Sequence, residues 1–440
     1  EGFVNPAGPI FIHVIPKRNV FLCEGSADQA KLGFPRSQVP IVHQFKFIGN
    51  QAGEGELWVV ARQHDEVVAT LEVKFTIVAI STATSDLRSV ASRVLDRPVL
   101  LGSPVDRLSI YECRDANGLS YCYDFHAPSI GQSVFKRSIP FKQDREEFIT
   151  RLYSTVEGLV RRTDDLYTED LQVLGTELLE QLMPIELQHV LWENRKAIRC
   201  IHVFSEEPFI PWELLHLKPP NSAIQSAMDG SRQTWFLGQL GLVRWLHNTP
   251  LPPTEVLLRK NRTFTLIPKY SIKDHQLPEA QKEATFLNEK FGTRAISCSL
   301  ADVRNLFRGP GAFDLLHFAG HGNGGHSTIG SSMLLLSSDS VNGVFSHTVE
   351  ARTIAQTAEL MDANGNRPMV VLNACRAGRS GWQLTQIGGF AAAFITRGAG
   401  VFVGGLWNLG DAPARVFTET GKLPAPSLVA AIIRFASSGS

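Results

Sequence analysis

Between residues 200 and 405 the sequence alternates short, near-continuous apolar runs with segments of helical spacing, and this alternation restricts the fold more than any other feature. The runs are "CIHVF", "TFTLI", "FDLLHFA", "MVVLN" and "GVFVGG", each of strand length. A strand that is apolar on both faces needs cover on both, so such runs specify a mostly parallel sheet between helical layers, the α/β class. Helical segments lie between them, including "PEAQKEATFLNEKF", "LADVRNLFR", "VEARTIAQTAEL" and "QLTQIGGFAAAFITRG".

The first part of the chain has a different period. "HQFKFIG", "GELWVVARQ" and "VVATLEVKFTIVAI" alternate in the two-residue manner of half-buried strands, which predicts an all-β, sandwich-like domain over residues 1–82. Residues 83–142 continue in that style with "RLSIYECRD" and "LSYCYDFHA" around the turn "ANG", a hairpin-rich extension. From residue 143 the apolar positions recur at helical spacing, as in Phe148, Leu152, Val156 and Val160, and a third domain is expected over 143–440.

Composition narrows the partners. Lys and Arg number 43 against 43 Asp and Glu, which leaves no net field to attract a polyanion, so no nucleic-acid partner is expected. The six cysteines are scattered and none stands in a metal-ligand spacing, a usage that fits unpaired thiols in a reducing cytoplasm. The opening residues show no charged-then-apolar leader, and the longest apolar stretch, 388–407, is crossed by Arg397 and several glycines, so no membrane span is expected.

In parallel sheets ligands bind beyond the carboxyl ends of the strands. "FDLLHFAGHGNGG" ends a strand in a glycine-rich loop that carries His321 and lets backbone N–H groups approach a substrate. "MVVLNACRAG" ends another in Asn373, Ala374 and Cys375, where small neighbours leave the thiol uncrowded. A thiol is weakly ionised at neutral pH, and an imidazole that takes its proton makes it a strong nucleophile. His317 lies inside the strand and is read as a core histidine. The spacing His317, His321, His326 is not that of a helical zinc pair, so no metal is expected. Trp212, Glu213 and Trp245 are read as packing, as are the other five cysteines. Neither Gly-x-Ser-x-Gly nor a Gly-x-x-x-x-Gly-Lys phosphate loop is present.

Residues from about 143 onward resemble a CHAT domain, a caspase-like peptidase module related to separases. The resemblance is carried by "FIPWELLHL", "LGLVRWL", "FDLLHFAGHG", "VVLNACRAG" and "GGFAAAFITRGAGVFVGGLWNLGD". It implies a caspase-like sheet, a cysteine endopeptidase acting on protein substrates without a cofactor, His321 as base and Cys375 as nucleophile. It also implies an oxyanion hole from the N–H groups of Gly322 and Cys375. Relatives often act in prokaryotic conflict or cell death under control of a partner, which makes the N-terminal region the expected docking module. Asn373, Asp339, Trp407 and Asp411 are the candidates for lining the substrate pocket. Asn373 is neutral where several basic-selective relatives carry an acid. Two other readings stay open at this point: a catalytically silent scaffold of the same fold, and a ligand-sensing domain that binds an anion in the glycine loop.

Overall fold

A computed structural model describes residues 9–420, except 24–26, 34–42, 64–65, 79–92, 96–105, 116–117, 161–166, 221–234, 247–252, 254–255, 324–331, 342–343, 346, 376–380, 384–385 and 407–409. The chain packs as two units, one of Glu1–Asp144 with Gln181–Val190 and one of Arg145–Glu180 with Leu191–Ser440.

The first unit is all-β apart from its helical insert. Strands β1 (Ile10–Arg18), β2 (Gln29–Leu32), β3 (Gly53–Gln63), β4 (Glu66–Ile77) and β5 (Arg93–Leu95) form one antiparallel sheet in the order β2-β1-β3-β4-β5. Strands β6 (Asp106–Asp115), β7 (Gly118–Ala127) and β8 (Gln132–Arg137) form an antiparallel meander. The two-residue period has its expected consequence: Ile15, Trp58 and Val60 from the first sheet share a core with Tyr111, Cys113 and Cys122 from the meander. That core corrects the expectation of six unpaired thiols. Cys113 and Cys122 lie on adjacent strands, 6.3 Å apart at Cα, and form a disulfide. Their separation of nine residues is no pairing signal in itself; the hairpin register is what brings them together.

Next along the chain come helices α1 (Arg145–Val160), α2 (Tyr167–Leu182) and α3 (Ile185–Asn194), the last divided between the two units, and then, in the second unit, a parallel pair, β9 (Ile201–Ser205) and β10 (Leu242–Leu246). The main sheet comes next. It consists of β11 (Thr263–Leu266), β12 (Arg294–Ala295), β13 (Leu315–Ala319), β14 (Met369–Asn373) and β15 (Val401–Gly404), all parallel, in the order β12-β11-β13-β14-β15. Four of the five apolar runs are therefore strands of this sheet. The fifth, "CIHVF", pairs instead with "LVRWL".

Helices α4 (Pro278–Phe291), α5 (Leu300–Arg308), α6 (Ala351–Thr357), α7 (Phe390–Thr396) and α8 (Asp411–Thr420) cover the sheet. On one face Leu316, Phe318, Val370, Leu372 and Phe402 pack with Val303 and Phe307 of α5, Ile354 of α6 and Phe394 of α7. Each such side chain contributes about 1.5–3 kcal/mol by leaving water. On the other face Leu315, Val371, Val401 and Val403 pack with Phe417 of α8. The helix expected over "QLTQIGGFAAAFITRG" begins only at Phe390. Gly389 sits at φ +111°, which breaks the helical path, and Gly381–Gln383 pairs with Gln386–Gly388 as a hairpin before it. No helix among the described residues is long and apolar enough to cross a membrane.

Candidate active site

Parallel register fixes where the two chemical residues fall. Ala319 pairs with Asn373 across β13 and β14, and the Gly320 N–H donates to the Asn373 carbonyl at 3.3 Å. One and two residues later the chains carry His321 and Cys375, both half-buried. The loops stay in contact beyond the strands. A Cβ built on Gly322 would lie 2.9 Å from the Cys375 oxygen and 3.0 Å from the Ala374 Cβ. Only glycine allows that approach, so the glycine after His321 is what lets the two loops abut.

His321 is held from three sides. Its N–H donates to the Tyr270 hydroxyl at 2.9 Å, its carbonyl accepts from Leu335 N–H at 2.9 Å, and Tyr270 O–H in turn donates to the Leu335 carbonyl at 2.8 Å. Burial pushes the Tyr270 phenol well above its ordinary range, so it stays a neutral hydroxyl. The imidazole Nε2 lies 2.8 Å from the backbone oxygen of His275. A carbonyl oxygen only accepts, so Nε2 carries the proton and Nδ1 is left as the basic nitrogen of the neutral ring.

Below these loops is a buried polar cluster. The face of β13 that carries Leu315 also carries His317, which pairs in register with Val371; Asn373 follows on the same face of β14. Glu283 of α4 reaches this layer. Its carboxylate lies 2.8 Å from His317 Nε2 and accepts from Asn373 Nδ2 at 2.9 Å and from Thr418 Oγ1 at 3.1 Å. His317 is thus a satisfied core histidine, as its position in the strand predicts. His326 lies outside the described residues.

A cavity of about 80 Å³ opens at these strand ends, and His321, Cys375, Asn373, Glu283 and Asp411 are among its lining residues. The sequence-derived residues are therefore brought together unequally. His321, Cys375 and Asn373 share the cavity with Asp411, whose carboxylate accepts from Glu279 N–H at 2.9 Å and Ala280 N–H at 3.1 Å and so caps α4. Asp339 is exposed and is not among the lining residues, and Trp407 lies outside the described residues. Glu213 is fully buried beside Arg244, consistent with packing.

Three contributors were not picked out from sequence: the His275 carbonyl, Tyr270 and Glu283. Backbone carbonyls have no residue-type signal. Glu283 had one, since it stands in the apolar stripe of α4 between the buried Ala280 and Leu287. A carboxylate there needs partners of its own.

Residues 218–420 match the model of the CHAT domain. This stretch is a CHAT domain. It takes in both the His321 and the Cys375 loops and begins just after "FIPWELLHL". The CHAT family is caspase-like, and the match supports a peptidase of that class. Residues 2–73 match a domain of unknown function, DUF7363, which covers much of the first sheet. A solved structure titled "Structure of Protease" is similar at 9% identity and a TM-score of 0.33, over 69% of this chain. The likeness spans 64% of that chain's length. No curated protein matches.

Proposed function

We propose that the chain is a cysteine endopeptidase in which Cys375 is the nucleophile and His321 the general base. The observation that carries this reading is that His321 and Cys375 line one cavity at the ends of neighbouring parallel strands, with His321 Nε2 engaged by the His275 oxygen. In that arrangement Nδ1 takes the thiol proton and the thiolate sulfur bonds to the scissile carbonyl carbon. The C–N bond then breaks as His321 returns the proton to the leaving amine, and a water activated by the same ring releases the acyl group. The Gly322 and Cys375 N–H groups hold the oxyanion, a role supported by the close approach of these two backbones.

Protein substrates, control by a partner that engages the N-terminal region, and service in a prokaryotic defence or cell-death system complete the proposal. They rest on the resemblance of the second unit to CHAT proteins. The cysteine usage behind the cytoplasmic expectation is one disulfide and four cysteines outside it, rather than six thiols.

The test is covalent labelling by a peptidyl electrophile followed by intact mass. A single adduct on Cys375 is expected, absent in Cys375→Ala and much slowed in His321→Ala. An adduct that persists in Cys375→Ala overturns the assignment. Equal cleavage of test proteins with and without a cell extract overturns the control by a partner.

A further inference from the structure

The cavity beneath Cys375 has apolar sides and a polar end. Ala280, Ala319, Ala374 and Ala414 line it, all of them buried and none larger than a methyl group. His321 and Cys375 are half-buried, whereas Glu283 is fully buried, which sets the first two toward the mouth and the carboxylate toward the depth. None of the described residues lining it is Lys or Arg. Asp411 adds a second carboxylate, but both of its oxygens are engaged by the first N–H groups of α4.

We infer that this cavity receives a Lys or Arg side chain, that of the substrate residue whose carbonyl Cys375 attacks, with Glu283 as the specificity-determining residue. The inference rests on the peptidase reading above. A long methylene stem fits between alanine walls, and a cationic head that leaves water needs a carboxylate partner. Glu283 supplies one. Its Oε2 lies within hydrogen-bond distance of His317, Thr418 and Asn373, while its Oε1, among the described residues, accepts only from Asn373 and keeps an acceptor position. Asn373 is itself neutral, two positions before the nucleophile, and its amide leads directly to Glu283 at 2.9 Å. The negative charge that Asn373 lacks therefore stands one side chain deeper. An acidic substrate side chain would meet that carboxylate with no Lys or Arg among the described lining residues to offset it, and a neutral one gains only the walls.

The experiment uses the full chain and peptidyl acyloxymethyl ketones that differ only at the terminal residue: Arg, Lys, citrulline, norleucine or Asp. The rate of Cys375 alkylation is read by intact mass. Arg and Lys compounds should react at least about ten-fold faster than citrulline and norleucine, with Asp slowest. Citrulline or norleucine reacting as fast as Arg, or Asp reacting fastest, overturns the inference while leaving the peptidase reading intact. If no compound alkylates Cys375, with or without cell extract, the peptidase reading fails and this inference falls with it. Glu283→Gln, nearly isosteric, should bring the Arg-to-citrulline ratio close to one; an unchanged ratio removes Glu283 from the role. If that variant does not fold, the wild-type series alone decides.

Discussion

The backbone oxygen of His275 lies 2.8 Å from Nε2 of His321, so the loop after β11 sets the tautomer of an imidazole carried by the loop after β13. A backbone acceptor has no charge to lose with pH, so it holds the ring without titrating. The same loop contributes Tyr270, whose hydroxyl links His321 N–H to the Leu335 carbonyl.

Tyr270→Phe should therefore separate positioning from binding. Removing the hydroxyl leaves a half-buried donor and a buried acceptor without this partner, at up to about 1–3 kcal/mol of stability each. The base is no longer fixed, and turnover should fall by about ten-fold or more with little change in KM. Steady-state kinetics and thermal unfolding on the same preparation check this. A rise in KM at unchanged kcat would place Tyr270 in substrate binding instead.

Gly322→Ala should damage the site more than the fold. The new Cβ would lie 2.9 Å from the Cys375 oxygen, so one of the two loops must move. Since Gly322 follows the end of β13 rather than sitting in the core, unfolding should shift by only about 1 kcal/mol while activity falls by about a hundred-fold. Wild-type turnover in the alanine variant would show that the two loops need not touch.

The pH dependence of stability has a clear contributor in Asp314, just before β13. Burial alone would raise its carboxyl, but the paired bonds from Arg259 at 2.7 Å, the Arg259 N–H at 2.9 Å and the nearby Arg262 hold it below the ordinary 3.8. A depressed folded value means stability that is present above the unfolded value and lost as pH falls through the folded one. Asp314→Asn should cost about 1–2 kcal/mol near neutrality, discounted because Arg259 is partly exposed. The gap between variant and wild type should close below about pH 3.8 in thermal melts across the acid range. A gap that is constant with pH would mean packing, not charge.

What the sequence revealed follows from the kind of signal each feature leaves. The parallel sheet was legible because strands buried on both faces must be apolar throughout, and the His321 and Cys375 loops because strand ends are where glycine and small residues gather. The helix expected over 383–398 begins only at Phe390, because its apolar content continues through Gly388 and Gly389 and only the φ of +111° at Gly389 marks the break. The His275 carbonyl left no trace, since any residue supplies one. Glu283 was visible as a charge in an apolar stripe, but its partners His317, Asn373 and Thr418 lie 34, 90 and 135 positions away, and only the fold brings them together.

Thiol chemistry gives the last prediction. Denatured without reductant, the protein should expose four reactive thiols, and six after reduction, because Cys113 and Cys122 are joined. In the native state the four should differ. Burial pushes the Cys298 thiol up to about 11, so at pH near 8 roughly one molecule in a thousand carries the thiolate there. Cys375 lies at a strand end, half-buried, on the cavity that also holds His321. Iodoacetamide under native conditions should therefore modify Cys375 long before Cys298, and peptide mapping after a short exposure reads the order directly. Slowing of the Cys375 adduct in His321→Ala, with Cys298 unchanged, is expected if the imidazole takes the thiol proton. Equal rates in the two proteins would mean that the ring does nothing for the sulfur, and the dyad would be lost even though both residues line one cavity.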